Sequence, residues 1–236
     1  MPRRLLLIAA ACLPLMAAPA LAQEGAFTIT VSGLKAGVFR IAANTNDRSY
    51  AVTSHAASAG LAGLLRSFTV TSKVNGTIKD GRLRPVRYVA HSDGAREGRG
   101  AELAFENGTP IVINAAREPN PDAPKVNPAS LKDVVDPLTG LYAVLRDTTA
   151  AGACTVDLEM FDGHRVSRVT LSPARQTEDV LVCDGVYRRV AGYPPKDMDE
   201  RASFAFTVSY AAKGDVLQAQ ELTMDSLFGP ARMIRN

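Results

Sequence analysis

Apolar residues stand at every second position in several short runs of this chain, and this pattern constrains the fold more than any other feature. The clearest runs are residues 27–31, 156–160 and 203–210, where apolar side chains alternate mostly with polar ones. A period of two places the apolar side chains on one face of a β-strand and the polar ones on the other, as in antiparallel sheets with one solvated face. The sequence therefore predicts a mainly β protein.

Turn signals recur between these runs at short intervals. Asn-Gly and Asp-Gly dipeptides tolerate the positive φ angles of two-residue hairpins, so we expect a tight turn at each of them. The six dipeptides are Asn75-Gly76, Asp80-Gly81, Asp93-Gly94, Asn107-Gly108, Asp162-Gly163 and Asp184-Gly185.

Two segments have helical spacing. Leucines and a phenylalanine three or four positions apart predict a short helix over residues 57–68. Asp136 followed by Pro137 is typical of an N-cap and a first helical position, and predicts a second helix that extends to about Asp147. The apolar stripe of this second helix is Leu138, Leu141, Tyr142 and Leu145.

A proline-rich connector separates the two halves of the chain. Residues 117–130 contain four prolines, which excludes a helix or a central strand and predicts an extended segment. The connector could separate two domains, but the strand pattern on its two sides is alike. We therefore expect a single β-rich domain over residues 23–236, with one continuous sheet that crosses a helix.

The N-terminus has the three parts of an export signal. Two arginines form a positive segment, residues 5–15 are apolar, and a small-x-small site ends at Ala22. The sequence predicts a signal peptide over residues 1–22, cleaved after Ala22, and a mature protein without a stable membrane span. A transmembrane anchor is the alternative, weakened by two prolines and by an apolar run of about 18 residues, at the short limit for a bilayer. A lipoprotein would require acylation of Cys12, but apolar sequence continues beyond it.

The charge balance excludes two classes of partner. Two of the 27 lysines and arginines, Arg3 and Arg4, belong to the signal, which leaves 25 basic residues against 24 acidic ones. A mature chain so close to neutral has no excess of positive charge to attract nucleic acid or an acidic membrane surface. We therefore expect neither as a partner.

Removal of the signal leaves two cysteines, Cys154 and Cys183. Two cysteines in an oxidising compartment usually form a disulfide. The alternatives are two buried free thiols or a redox pair, and no C-x-x-C spacing supports a redox pair. In a plain meander Cys183 would lie opposite about Arg168, two strands and ~10 Å from Cys154, whereas a disulfide requires Cα atoms within about 7 Å. We therefore expect Cys154 to lie in a bend before its strand.

Three stretches carry a resemblance to a known family and together extend over most of the mature chain. They are residues 60–88 with Gly60, Gly63, Asn75-Gly76, Leu83-Arg84-Pro85 and Tyr88, residues 134–142, and residues 183–193 with Cys183-Asp184-Gly185 and Gly192-Tyr193. The chain resembles the proteobacterial family of exported proteins known as domain of unknown function 3108.

This resemblance implies a periplasmic location and no established activity. It also implies a strongly curved antiparallel sheet, an open barrel or β-spiral, with a helix packed into its concave face. The architecture is similar to that of the lipoprotein-carrier proteins of the Lol pathway and of some cell-envelope integrity proteins. We therefore expect a mainly β fold with one central helix and one short helix, but likeness of fold alone assigns no function.

Catalytic and metal-binding motifs are missing from the sequence. His55, His91 and His164 lie in separate segments without the spacing of metal ligands, and no G-x-S-x-G elbow marks a serine nucleophile. We therefore expect no enzyme activity, no metal and no cofactor. An enzyme would need a cleft in which His91 or His164 meets a carboxylate and a nucleophile.

Two hypotheses about function differ in whether the concave side of the sheet is filled. In the first, the protein binds a hydrophobic or amphipathic component of the cell envelope, such as a lipid, a lipoprotein or a peptide, in an apolar cavity of several hundred Å³. In the second, it is a structural or interaction protein for envelope integrity, with a solid core and an exposed edge or apolar patch. The candidate ligand-binding residues are Tyr88, Phe105, Leu141, Tyr142, Phe204, Phe206 and Tyr210.

Overall fold

Thirteen strands form one antiparallel sheet in the part of the chain that the structure describes. The structure is a computed structural model and describes residues 21–60, 67–94, 99–115, 120–177 and 179–236. The predicted mainly β fold is confirmed. In chain order the strands are β1 (Leu21–Val31), β2 (Leu34–Thr45), β3 (Ser49–Ser58), β4 (Phe68–Lys79), β5 (Arg82–Gly94), β6 (Arg99–Glu106), β7 (Thr109–Asn114), β8 (Asp157–Phe161), β9 (Val166–Gln176), β10 (Val180–Ala191), β11 (Ser203–Lys213), β12 (Val216–Ser226) and β13 (Gly229–Arg235).

The strand order consists of two meanders joined near the chain termini. Strands β1 to β7 follow one another across one half of the sheet and β8 to β13 across the other, and β1 pairs with β13 in the middle. The two edges are therefore β7 and β8, which are consecutive along the chain. The sheet curves into a nearly closed, barrel-like shape, and the chain between its two edges supplies the central helix.

The central helix, α1 (Pro137–Leu145), begins as predicted, with Asp136 as the N-cap and Pro137 in the first turn. It ends two residues before the predicted end at Asp147, because the backbone of Arg146 is already extended. It contacts β3, β4, β5, β8 and β12, so it lies on the concave side of the sheet between the two meanders. A second helix, α2 (Pro195–Glu200), precedes β11 and was not expected from the sequence.

Two predictions about the N-terminal half fall wholly or largely on residues outside the described ranges. The helix expected over residues 57–68 is one of them; of its described residues, 57 and 58 end β3, Gly60 is helical and 68 begins β4. The signal peptide is the other, and its predicted cleavage site after Ala22 falls within β1. None of the helices in the described ranges is long and apolar enough to cross a bilayer.

The proline-rich connector joins the two edges of the sheet. Its described part, residues 120–130, is extended or turn-like and ends in a 3-10 turn at Pro128–Ser130. The chain that follows covers the edge of β8: the backbone N–H of Val135 donates to the carbonyl of Glu159 at 2.8 Å, and the N–H of Phe161 donates to the carbonyl of Val135 at 2.8 Å. The strands before and after the connector thus belong to one continuous sheet.

Only three of the six expected turns join consecutive strands. Asp93-Gly94 instead forms the last two residues of β5, and Asn75-Gly76 and Asp184-Gly185 lie inside β4 and β10, so the turn predictions at these positions are wrong. The three dipeptides that form turns are Asp80-Gly81, Asn107-Gly108 and Asp162-Gly163.

Close approach of an aromatic ring explains the two glycines inside strands. Gly76 lies directly opposite Tyr50, and Gly185 lies directly opposite Phe206. A Cβ atom on either glycine would lie closer than 3.0 Å to the facing ring, a distance that real Cβ contacts do not reach. Both glycines therefore serve the packing of a ring across the strand rather than the formation of a turn.

A disulfide joins Cys154 and Cys183, whose Cα atoms are 5.3 Å apart. Cys154 lies in a bend before β8, as expected, and has a positive φ of 57°. Cys183 lies opposite Pro173 on β9 and not opposite Arg168, which corrects the predicted register. The reason is that β9 continues beyond Pro173 before its hairpin turn.

Replacement of Gly185 by alanine should destabilise the fold. Alanine in place of a strand glycine ordinarily stabilises by roughly 0.5–1 kcal/mol, because it reduces the conformational entropy of the unfolded chain. Here the added methyl group would collide with the Phe206 ring, so we expect Gly185→Ala to lower the free energy of unfolding in urea by about 1–3 kcal/mol. In a Phe206→Leu background the loss should shrink, and an equal loss in both backgrounds would contradict the ring contact.

Removal of the disulfide should also destabilise the protein. The bond closes a loop with a sequence separation of 29 residues. We expect Cys154→Ala/Cys183→Ala to lower the free energy of unfolding by about 3–4 kcal/mol, because the unfolded chain gains conformational freedom. Mass analysis of the oxidised protein should find no free thiol. Two free thiols, or a double variant as stable as the wild type, would show that the bond does not contribute.

Candidate functional site

Helix α1 begins at a buried carboxylate. Asp136 accepts hydrogen bonds from the backbone N–H of Thr139 at 2.9 Å and from the Thr139 hydroxyl at 2.6 Å, and it is 0% exposed. Because the Thr139 proton is used in this way, the Tyr50 hydroxyl on β3 donates to the Thr139 oxygen, 2.9 Å away. Burial raises the pKa of Asp136 from 3.8 to about 6, and the hydrogen bonds from Thr139 limit the rise.

Further hydrogen bonds tie α1 to both meanders of the sheet. The Tyr142 hydroxyl lies 2.7 Å from the Thr45 hydroxyl on β2. From the other meander, the Tyr210 hydroxyl on β11 donates to the backbone carbonyl of Val144 at 2.6 Å. The helix is therefore fixed in the concave space by partners that are distant in sequence.

Helix α1 has one sealed face and one open face. On the sealed face, Leu138, Tyr142 and Leu145 are all buried in the core. The Tyr142 ring stacks on that of Tyr50, with centroids 6.1 Å apart and planes inclined by 13°. The residues of the open face line a cavity, and they are Pro137, Gly140, Leu141 and Val144.

The cavity has a volume of about 320 Å³ and lies between the open face of α1 and strands β8 to β12. This volume is at the lower end of the range for small-molecule sites, roughly 300–1,000 Å³. Its wall is mostly aliphatic, aromatic and thioether, with polar groups gathered at one rim. The apolar residues that the sheet contributes are Met160, Val169, Phe206, Leu222 and Met224.

Two of the seven candidate ligand-binding residues, Leu141 and Phe206, line this cavity. Phe204 lies elsewhere, half-buried, with its ring 6.1 Å from that of Tyr187 and with the guanidinium of Arg189 5.2 Å from its centroid. The other four candidates belong to the hydrophobic core, and they are Tyr88, Phe105, Tyr142 and Tyr210. The structure thus brings together only two of the predicted residues at the open space.

Most of the cavity wall was missed by the sequence analysis. Leu222 and Met224 stand two positions apart on β12, so the same period-two pattern would have identified them as inward-facing. Val144 lies in the predicted helix and Met160 in the predicted strand run 156–160, but neither was singled out as facing a cavity. A period identifies the face of a strand, but it does not distinguish a side chain that faces a void from one that faces the core.

Three hydroxyl groups meet near the polar rim. The Ser167 hydroxyl lies 2.7 Å from that of Tyr187 and 2.6 Å from that of Tyr193, and the two tyrosine hydroxyls are 3.0 Å apart. Burial raises the pKa of Tyr193 far above its usual value, so this hydroxyl stays neutral. Each hydroxyl carries one proton, so the three contacts use all three protons as donors.

Arginine side chains stack on the aromatic ring beside these hydroxyls. The guanidinium groups of Arg165 and Arg189 lie 5.1 and 5.4 Å from the centroid of the Tyr193 ring. Arg189 also donates to the backbone carbonyls of Asp197 and Arg201, which holds α2 against the sheet. Among the described residues, no carboxylate lies within 4.0 Å of the Arg165 guanidinium, which lines the cavity.

Histidines do not line the cavity in the described ranges. His91 is exposed on β5, where its Nε2 lies 2.8 Å from a carboxylate oxygen of Asp93. His164 lies in the turn between β8 and β9. Nowhere in the described part of the chain do three His, Cys, Asp or Glu side chains come together as metal ligands.

A second, polar groove of about 570 Å³ lies beside the β4–β5 hairpin and β8. Two ion pairs lie among its charged side chains. Arg168 donates two hydrogen bonds to Asp157, at 2.7 and 2.6 Å, and Arg84 pairs with Asp133. The hydrogen bonds from Arg168 lower the pKa of Asp157.

Comparison with known proteins identifies a family. The model of the family described as a protein of unknown function, DUF3108, matches residues 26–218. The chain belongs to the DUF3108 family, as the sequence motifs predicted. Among solved structures, the chain is similar to a beta-barrel-like protein of the domain of unknown function DUF1849 from Brucella abortus, with a TM-score of 0.48 and 13% identity over 90% of this chain and 94% of that chain. No curated protein matches the chain.

Asp136 should make this DUF3108 protein less stable as the pH rises. Its pKa is about 6 in the folded protein against the usual 3.8, so between these pH values the folded state holds a proton that the unfolded state has lost. Stability that is present below pH 4 is therefore lost as the pH rises through 6, by up to about 3 kcal/mol.

The substitution Asp136→Asn should remove this part of the pH dependence. Asparagine keeps an N-cap acceptor for the Thr139 N–H but cannot ionise. The measurement is the free energy of unfolding at about pH 4 and pH 7.5 for the wild type and the variant. An equal difference between the two pH values in both proteins would contradict a buried carboxyl with a raised pKa.

Proposed function

We propose that this DUF3108 protein is a non-enzymatic binding protein of the periplasm, which holds a hydrophobic or amphipathic component of the cell envelope on the concave side of its sheet. The observation that carries the proposal is the apolar cavity of about 320 Å³ between α1 and strands β8 to β12. An unfilled apolar space forfeits contacts that a packed core would make. A bound acyl chain or apolar peptide side chain would restore those contacts.

The side chains of the cavity wall favour a flexible ligand over a rigid one. Met160 and Met224 face the space together with Leu141. Methionine side chains are flexible and polarisable, so they adapt to chains of different length and branching. The hydrogen bonds at Asp136 and Val144 hold α1 in place. The cavity wall therefore adapts to a ligand through movement of its side chains and not of the helix.

Two features support the proposed location. The pattern of residues 1–22 is that of a signal peptide. The disulfide between Cys154 and Cys183 is of a kind that persists in oxidising compartments, such as the bacterial periplasm.

The polar groups at the cavity support binding over catalysis. In the described ranges these groups are Asp162, Arg165, Ser167 and Tyr187. Among the residues that the structure describes, Ser167 contacts two tyrosine hydroxyls and no histidine or carboxylate that would act as its general base. Such a set can orient a ligand, whereas a nucleophile without a base is poorly activated.

A second candidate function, an interaction protein for envelope integrity, is favoured by exposed apolar residues at two hairpin tips. Phe228 is 82% exposed and Leu34 is 62% exposed. The two tips touch, since the Ser32 hydroxyl donates to the backbone carbonyl of Phe228 at 3.0 Å. An apolar tip of this kind suits contact with a partner.

Filling the cavity tests the binding function. We expect the mature wild type to bind the apolar fluorescent probe N-phenyl-1-naphthylamine, and Leu141→Trp to weaken that binding by roughly tenfold or more, because the indole occupies the space. Val186→Trp is the matched control, since Val186 is exposed on β10 next to the cavity-lining Tyr187. Equal probe affinity in the wild type and both variants, measured by fluorescence titration, would contradict the cavity as the binding site.

A further inference from the structure

The lining of the cavity changes from cationic to apolar along one face of β9. Arg165 directly precedes the strand, and Ser167 and Val169 follow at alternate positions, and all three line the cavity. Tyr187 lies opposite Val169 on β10 and adds its hydroxyl to the polar end. Phe206 lies farther along the sheet, opposite Gly185, and belongs to the apolar end. The site therefore has the polarity of an amphiphile, with a charged end and an apolar end.

Arg165 is a half-buried cation whose guanidinium has no ion pair with the described residues. Asp162 also lines the cavity, but it is exposed, and its Oδ1 accepts the backbone N–H groups of His164 and Arg165 at 2.9 and 2.7 Å. By contrast, the Arg189 guanidinium donates hydrogen bonds to two backbone carbonyls. Partial burial of a charge without a counter-ion is unfavourable, and an anion at this end of the cavity would supply the missing partner.

The hydroxyl cluster beside Arg165 can serve the same anion. Its three protons satisfy three mutual contacts, so one of them can turn toward a ligand oxygen while two contacts remain. Ser167 and Tyr187 both line the cavity and are placed to do so. A carboxylate with two acceptor oxygens matches one guanidinium and one hydroxyl donor.

We propose that the cavity takes a single-chain amphiphile with a carboxylate head, with the acyl chain at the apolar end and the carboxylate paired with Arg165. This inference rests on the proposed binding function and adds the class of ligand. A water molecule occupies about 30 Å³ in the liquid and a methylene group is similar in size, so the cavity holds a chain of roughly ten carbons.

Decanoate and decanol separate the contribution of the head from that of the chain. Both have the same chain length, but only decanoate carries a charge at pH 7.5. The mature, disulfide-bonded wild type should bind decanoate roughly tenfold or more tightly than decanol in isothermal titration calorimetry, because a charge-assisted pair with Arg165 is added.

Arg165→Gln should remove this preference. The affinity for decanoate should fall about tenfold, to that for decanol, while the affinity for decanol stays unchanged. Arg188→Gln is the matched control, because Arg188 is an exposed arginine on β10, next to the cavity-lining Tyr187, and should leave both affinities as in the wild type. Thermal unfolding of each variant establishes that it is folded.

Each outcome separates the carboxylate inference from the binding function. Equal wild-type affinities for decanoate and decanol would overturn the carboxylate head while leaving a binding cavity in place. An equal loss for both ligands in Arg165→Gln would do the same, since the arginine would then act through packing. Failure of the wild type to bind either ligand or the fluorescent probe would contradict the binding function itself.

Discussion

The buried hydrogen bonds from Asp136 through Thr139 to Tyr50 are the interaction on which the rest of the structure depends. Helix α1 has only nine residues, and helices shorter than about 12 residues are marginal in water on their own. Its position is therefore set by tertiary contacts. The N-cap carboxylate starts the helix, and the Tyr50 hydroxyl fixes that start against β3 in the interior of the sheet.

The position of helix α1 determines which side of the concave space is closed. Leu138 and Leu145 pack into the core on one face, while Leu141 and Val144 border the cavity on the other. The topology allows this asymmetry because β1 and β13 pair in the middle of the sheet, and the chain between its two edges, β7 and β8, supplies α1. One element thus serves both as part of the core and as one wall of the proposed site.

The features predicted correctly from the sequence are those that depend on neighbouring residues. Asp136 before a proline predicted the start of α1, and alternation predicted the strands and their buried faces. The errors arise where a contact joins distant segments. Gly76 and Gly185 have the dipeptide chemistry of turns, but each lies under a ring from another strand. Likewise, the period of β12 marks Leu222 as inward-facing, yet only the position of α1 makes it part of a cavity. Arg165 carried no local signal, because its significance lies in the lack of an ion pair with any described residue, although its guanidinium lies over the Tyr193 ring.

The central claim is that the open face of α1 and the facing strands hold an amphiphile. Native mass spectrometry of the mature protein, purified gently from periplasm, tests this claim most directly. We predict a population with the added mass of one small amphiphile, released on denaturation and identified in the extract as a carboxylate with a single acyl chain. A bare chain mass, both as isolated and after incubation with a lipid extract of the same cells, would contradict the claim.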